Sequence, residues 1–347
     1  MAITRRELMA SAAMPAFAAP SAVDVALMTH ADGPHLSAYI SGLAKTPEVG
    51  AVYLCDPSGA TQRAVREGLG SKVNGFYSSP RELFRTRKPA LALITMEAKV
   101  APPAIDAALD AGCHVMAEKP ACVRTEDFAP LAAKAAAGKR HLMLALANRV
   151  DAVMLEAKRI VQSGEIGKVY GMALHTIADQ TRLTSPAYHG TWIAQKSRAG
   201  GGHLIWLGIH WLDLAMFICG SPITQVAGFT ANVGGQPIDT EDAAAISFRF
   251  ANGTLATIQS GYYLDRNKQL FIKVWGSDGW VEVNHGTANP LEWYSTKGGK
   301  ARSGKYAPPP GPSGYDAWVR HVVRAAADLE APALTPAESL RALRVIF

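Results

Sequence analysis

Hydrophobic positions in the first 150 residues fall into short runs separated by amphipathic stretches. The runs at 23–28, 51–55, 90–95, 114–117 and 141–147 carry Val, Leu, Ile, Ala and Met with almost no polar interruption. Unbroken apolar runs of this length predict strands covered on both faces. Helical spacing follows several of them. Leu36, Tyr39, Ile40 and Leu43 share one face after Gly33-Pro34, a second helical stretch covers 105–111 before Gly112, and a third opens at Thr125-Glu126-Asp127. Pro34 suits a first helical turn, where its missing N–H costs nothing. Strands alternating with helices of about ten residues predict βαβ units and a doubly wound parallel sheet.

After Asn148-Arg149 the pattern changes. One helix is expected over 153–162, and strands over 169–177, 223–233, 243–250, 254–263, 270–275 and 280–283. Asn252-Gly253 and Asp278-Gly279 are hairpin turns between them. A single apolar helix, 204–218, interrupts the strands, and the proline-rich stretch 297–314 reads as a surface loop. The chain ends at Phe347 inside a helical pattern. The fold class is therefore α/β, an N-terminal Rossmann-like unit (21–148) joined to an α+β unit (149–347) with a mainly antiparallel open sheet. A doubly wound sheet binds ligands beyond the carboxyl ends of its strands. That places 29–35, Asp56, 95–97 and 118–120 along one edge.

Composition narrows the functional classes. The chain is 48% hydrophobic, too apolar for a disordered protein. Its formal charge of +6 comes from scattered basic residues, so no nucleic-acid partner is expected. No apolar run approaches the roughly 20 residues of a membrane helix, and no membrane span is expected. Cys55, Cys113, Cys122 and Cys219 are far apart and form no C-x-x-C pair, so neither a metal site nor a required disulfide is expected. Residues 1–20 read as an address. Thr4-Arg5-Arg6-Glu7-Leu8, a mildly apolar stretch and small residues resemble a twin-arginine export signal, implying the periplasm, or the cytoplasm if the signal is not used.

Three motifs carry a family resemblance: Ala117-Glu118-Lys119-Pro120, Gly164-Glu165-Ile166-Gly167, and the run from Gly200-Gly201-Gly202-His203 to Gly208-Ile209-His210-Trp211-Leu212-Asp213. Together they resemble the glucose–fructose oxidoreductase/inositol dehydrogenase/MocA family. The resemblance implies an NAD(P)-dependent oxidoreductase whose open sheet serves in oligomerisation, so a homo-oligomer is expected. It further implies that Lys119 is a cationic donor beside the nicotinamide and the substrate carbinol, and that His210 is the general base. Asp213 either orients His210 or belongs to a local network. Cofactor contacts are expected from Thr29, His30, Gly33, His35, Asp56, Thr95, Glu97, Glu118 and Lys119.

The sequence also departs from the family pattern. Where G-x-G-x-x-G is usual, Thr29-His30-Ala31-Asp32-Gly33-Pro34-His35 has one glycine, so His30 and His35 are the candidate donors to phosphate. Asp56 either accepts the adenosine ribose hydroxyls, which would favour NAD over NADP, or forms a turn with Pro57. Trp206 stands where the family has an aspartate, as a face stacking on a sugar ring or the nicotinamide, or as helix packing. His203, Tyr188 and Trp192 complete the expected substrate pocket with Trp206 and Asp213; His175, Asp179, Gln180, Arg182, His189 and Lys196 are further candidates. The expected function is hydride transfer between a tightly bound nicotinamide cofactor and a sugar, polyol or glycoside. A redox-neutral cleavage or isomerisation through a transient keto-sugar is one alternative, and a non-catalytic carbohydrate-binding or partner protein is another.

Overall fold

The computed structural model describes residues 22–284 and 287–347; the export signal expected at 1–20 lies outside the described residues. The first sheet holds β1 (Val23–Thr29), β2 (Val49–Cys55), β3 (Val73–Tyr77), β4 (Leu91–Thr95), β5 (His114–Ala117) and β6 (Leu142–Leu144). All pairs are parallel, in the order β3-β2-β1-β4-β5-β6. Helices α1 (Leu36–Lys45), α2 (Gln62–Leu69), α3 (Pro80–Thr86), α4 (Ala101–Asp110) and α5 (Thr125–Ala137) connect the strands. The order reverses between β1 and β4, which opens a ligand crevice at the carboxyl ends of those two strands. The pattern of apolar runs does not reveal β3. It is an edge strand with no fully buried residue, so it has no apolar run to show. The run at 141–147 is a strand only over Leu142–Leu144, and the chain then tightens into a 3₁₀ turn, Ala147–Val150.

The second sheet contains β7 (Val169–Asp179), β8 (Ile223–Ala231), β9 (Ala243–Phe250), β10 (Leu255–Leu264), β11 (Lys268–Gly276), β12 (Gly279–Asn284), β13 (Leu291–Ser295) and β14 (Arg302–Tyr306). Its order is β14-β13-β12-β11-β7-β10-β9-β8, antiparallel except where β10 pairs with β7. Strand β14 lies within 297–314, expected as a loop. Its sequence, RSGKY, is a polar edge strand with no hydrophobic alternation to betray it.

Helices α6 (Ala152–Gln162), α7 (Pro186–His189), α8 (Lys196–Ala199) and α9 (Ile209–Cys219), with a π turn at Leu204–Gly208 before α9, belong to this half. The sheet's outer face is uncovered: Phe229 is 85% and Tyr170 60% exposed. The last helices, α10 (Gly314–Ala326) and α11 (Pro336–Ile346), return to the first sheet. Helix α10 packs so closely on α1 that a Cβ at Gly42 would lie 2.7 Å from Val319 Cβ. Ser339 of α11 bonds the backbone of β6 at Leu142 O (3.0 Å) and Leu144 N (3.2 Å). The helical stretch Lys196–Cys219 is long and apolar enough to cross a membrane, contrary to the reading of the apolar runs. However, 83% of its most apolar window is buried inside the protein, as in a core helix.

Candidate active site

Lys119 stands just beyond the carboxyl end of β5, and both it and Glu118 are 2% exposed. Its Nζ donates to the Trp206 carbonyl (2.6 Å) and lies 4.1 Å above the Trp206 indole. The acceptor is set by the π turn, whose wider winding interrupts the regular carbonyl-to-amide ladder. Burial pushes the Lys119 ammonium down to about 8, opposed by Glu118, whose Oε1 is 4.0 Å away. His210 lies on α9, after the same turn. Burial first, then the charges of Lys119 and His35, hold its imidazole well below the ordinary value, so it is neutral at pH 7. His203 is held by Ser260 Oγ at Nδ1 (2.7 Å) and sets its ring edge on Tyr262. Burial, with Arg182 and Lys119, pushes its imidazole down to about 3.

Around Lys119, then, the first domain's lysine touches Trp206 of the second, and its charge acts on His203 and His210. Four buried polar atoms there have no hydrogen-bond partner: His203 Nε2, Trp206 Nε1, His210 Nδ1 and Glu118 Oε1. Each unpaired buried group costs about 1–3 kcal/mol, a cost that a ligand carrying hydroxyl and amide groups removes. The indole of Trp206 has Lys119 over its face and the Trp192 ring 5.3 Å away, so it holds the ammonium in place.

The glycine run positions this cluster. A Cβ at Gly202 would fall 1.8 Å from the Glu241 carbonyl oxygen, so only glycine lets the two backbones meet there. The Glu241 carboxylate accepts from the Gly202 N–H (2.6 Å) and the Leu204 N–H (3.1 Å), anchoring the start of the π turn.

The other end of the crevice is different. The expected cofactor residues Thr29, His30, Gly33, His35, Thr95 and Glu97 do converge on one edge, but their side chains bind mainly one another or neighbouring backbone. Thr29 Oγ1 donates to the His30 carbonyl (3.3 Å), and Thr95 Oγ1 donates to the Pro34 carbonyl. His30, expected to donate to phosphate, instead accepts the Glu97 N–H at Nε2 (2.7 Å). Gly33 is required by close approach, since a Cβ would lie 2.2 Å from Thr29 Oγ1. Glu97 is ion-paired with Arg198, and Trp192 Nε1 donates to the Asp32 carbonyl (3.4 Å), so the second domain is tied to these loops. Asp56, expected at the ribose, is 3% exposed. Its oxygens accept from the N–H and Oγ of Ser58 (2.9 and 2.6 Å) and from the N–H and Oγ1 of Thr61 (2.9 and 2.7 Å). Burial raises its carboxyl but these hydrogen bonds outweigh it and hold the group below its ordinary value.

Asp213 leaves the expected pocket altogether. Both its oxygens are held by Arg149, at 2.8 and 2.7 Å, and Arg149 continues to Glu338 of α11 (2.8 Å). The pair ties α9 to the last helix. Tyr188 packs with Ala178, Leu183, Ala194 and Tyr262, beside rather than within the Lys119 cluster. His175 lies on the uncovered face of β7, against Phe271. Asp179 is held by Thr181, His189 by the Leu183 carbonyl (2.5 Å), and the Lys196 backbone N–H donates to Asp239. Arg182 is exposed and bears on Lys119, His203 and Tyr262. Sequence reasoning missed Tyr39, Arg149, Tyr315 and Ser260 as partners of these groups. Only Tyr39 left a signal, on the apolar face of α1. Among the described residues, no group of three His, Cys, Asp or Glu is placed to hold a metal ion.

A dinucleotide fits this crevice at its reactive end, where the unpartnered polar atoms gather. Its phosphates would meet the N-terminus of α1, whose first turn carries no acidic side chain. Asp56 has no free role at the ribose. A 3-2-1-4-5-6 parallel sheet with a lysine at the carboxyl end of β5, facing histidines of an open-sheet domain, defines the class of two-domain Rossmann oxidoreductases. Family models match on both sides of the junction: an oxidoreductase family with an NAD-binding Rossmann fold over residues 22–146, and the GFO/IDH/MocA C-terminal domain over 154–282. The chain belongs to the Gfo/Idh/MocA family.

Among its relatives, D-glucoside 3-dehydrogenase of Escherichia coli is 24% identical over 64% of this chain and 66% of its own. Levoglucosan dehydrogenase of Pseudarthrobacter phenanthrenivorans is 27% identical over 54% of this chain and 53% of its own. The chain thus spans between about half and two-thirds of these relatives' length. A solved levoglucosan dehydrogenase, in complex with NADH and levoglucosan, superposes with a TM-score of 0.80 at 18% identity, covering 93% of this chain and 95% of that one. The likeness at that identity is one of fold.

Proposed function

We propose that this protein is an NAD-dependent oxidoreductase acting on a secondary hydroxyl of a sugar, polyol or glycoside. The observation that carries the reading is that buried Lys119 of the first domain acts by its charge on half-buried His210 of the second, whose Nδ1 has no hydrogen-bond partner. Bound at the crevice, the nicotinamide would supply the acceptor for the carbinol hydride. His210, kept neutral by burial, takes the hydroxyl proton as general base. Lys119 spends one N–H on the Trp206 carbonyl and turns the others to the substrate oxygen, stabilising the charge that develops there. Trp206 fixes the ammonium by carbonyl and ring face together, the positioning that a carboxylate at this place would otherwise provide.

The substrate class rests on the cluster's hydrogen-bonding and aromatic character and on the names of the two dehydrogenase relatives. Preference for NAD over NADP rests on charge: Asp56 and Glu82 both line a cavity of about 330 Å³ at the end of β2, where a 2′-phosphate would be repelled. Export through the twin-arginine route would favour a nucleotide that stays bound, so NAD should copurify. The uncovered face of the second sheet is where a second copy would pack; light scattering on Phe229→Asp against the parent chain tests that assignment.

The direct test incubates purified protein with NAD⁺ and levoglucosan, methyl glucosides or myo-inositol and follows the absorbance of reduced nicotinamide. Reduction that disappears in His210→Asn supports the proposal. No reduction, together with no nucleotide found in the purified protein by mass spectrometry and no calorimetric heat on adding NAD⁺ or NADP⁺, overturns it in favour of a non-catalytic binding protein.

A further inference from the structure

Glu118 sits behind Lys119, and its surroundings extend outward to solvent. Oε1 lies 4.0 Å from Lys119 Nζ and has no hydrogen-bond partner, while Oε2 accepts from the Tyr39 hydroxyl of α1 and lies 3.2 Å from His35 Nδ1. The Glu118 side chain is 1% exposed and that of His35 is 38% exposed. His35 Nδ1 is also 3.0 Å from the Tyr315 hydroxyl of α10, with the two rings stacked at 4.8 Å. One ring nitrogen therefore faces an acceptor and a donor. When Nδ1 carries a proton, Glu118 accepts it; when Nδ1 is bare, the Tyr315 hydroxyl supplies a hydrogen bond. An atom served in both protonation states is placed to pass a proton on.

We propose that Glu118 and His35 form a proton relay between the buried Lys119 ammonium and solvent, with Tyr39 and Tyr315 as positioning residues. The inference deepens the oxidoreductase reading and rests on it for its purpose. Oxidation of an alcohol releases one hydride, taken by the cofactor, and one proton, which must leave the site where Lys119 and Glu118 are each 2% exposed. Lys119 gives a proton to the Glu118 carboxylate, the carboxyl so formed turns to hand that same proton to the bare Nδ1 of His35, and the resulting imidazolium releases its Nε2 proton to water. Lys119 is then refilled by the proton of the substrate hydroxyl by way of His210. No charge accumulates in the cluster over a turnover. The titratable groups around the relay are Lys119 beside Glu118, Tyr39 from α1, Tyr315 from α10, and His210 from α9, on which the charge of His35 acts. The Tyr39 and Tyr315 hydroxyls are raised by burial and by Glu118, so both stay protonated and serve as fixed donors.

The arrangement also explains two residues that a simple dinucleotide cradle leaves over. His35 occupies the position before α1 in a left-handed backbone conformation (φ 58°), an uncommon place for a side chain this large, and this conformation accompanies the pairing of its ring with Tyr315 and Glu118. Tyr315 comes from the far end of the chain, on the helix that returns to cover α1.

The test needs no substrate. Hydrogen exchange of the ¹⁵N-labelled Lys119 ammonium, read by NMR below pH 7, should slow by at least about tenfold in His35→Gln and recover when free imidazole is added. Tyr315→Phe should slow it less and respond to imidazole less. Exchange in a folded His35→Gln protein equal to that of the parent, or slowed exchange that imidazole does not restore, overturns the relay. Because the readout is the lysine proton itself, a protein that reduces no NAD⁺ with any sugar would sink the oxidoreductase reading while the relay is still judged on its own result. If turnover is found, the same imidazole rescue should appear in kcat and leave KM unchanged.

Discussion

The two ends of the crevice between β1 and β4 are both lined with polar side chains, yet they differ in what those side chains do. At the Asp56 end the named groups are partnered: four hydrogen bonds converge on one carboxylate, and Thr29, His30 and Thr95 bind neighbouring backbone. At the Lys119 end four buried polar atoms are left without partners. Each unsatisfied group costs a folded chain about 1–3 kcal/mol, and where four of them lie in one region a ligand can relieve that cost, whereas the Asp56 groups are already spent on the fold. The same contrast recurs three residues apart on α9, where Asp213 is fully paired and His210 is not.

Substitutions can break that contrast. His210→Asn should lower kcat by about 10²–10⁴-fold with the fold intact, measured as the rate of NAD⁺ reduction against the circular dichroism spectrum. Lys119→Met should cost about 10²–10³-fold in kcat, the loss typical of removing one donor to a developing oxyanion. Arg149→Met should act on the other side of the comparison. It strands Asp213 in the core, which should lower unfolding free energy by about 3–5 kcal/mol, while folded molecules turn over near the parent rate. Denaturant titration and activity per folded molecule separate the two. A large fall in activity per folded molecule would show that Asp213 serves the chemistry after all.

A smaller effect is expected from pH. Reduction of a keto-sugar needs the charged ammonium, so its kcat/KM should fall as pH rises through about 8, and Lys119→Arg should remove that limb. Stability should move the opposite way. The folded protein holds the Lys119 ammonium at about 8 against an ordinary 10.5. The cost of burying it is fully present below pH 8, and is relieved as pH rises between those values, where the unfolded chain still binds the proton. The smallest effect belongs to Asp56→Asn: about 1 kcal/mol of stability from the weakened turn, with NAD⁺ affinity changed less than about threefold by calorimetry.

How much of this was legible in the sequence follows the same physics. Strands covered on both faces, such as β1 and β4, announce themselves as apolar runs, and Glu118-Lys119-Pro120 and the Gly200–His210 segment marked where Lys119 and Trp206 come together. Edge strands β3 and β14 were not legible, because a half-exposed strand has no apolar period to read. Nor was the fate of Asp56 or Asp213. A carboxylate in a sequence looks the same whether its partners are Ser58 and Thr61, Arg149 on a distant turn, or a ribose. Tyr315 was invisible for a related reason: only the return of α10 onto α1, about 280 residues away in sequence, brings it to His35.

The central claim is that the carbinol proton goes to a cluster shared by both domains while its hydride goes to a nicotinamide beside Lys119. A levoglucosan deuterated at the reacting carbons, incubated with the protein and NAD⁺, tests it in a single mass measurement. The account expects one deuterium in the recovered reduced cofactor, absent when His210→Asn replaces the parent. A sugar oxidised at a labelled carbon whose deuterium is found in the solvent rather than in the cofactor would contradict it.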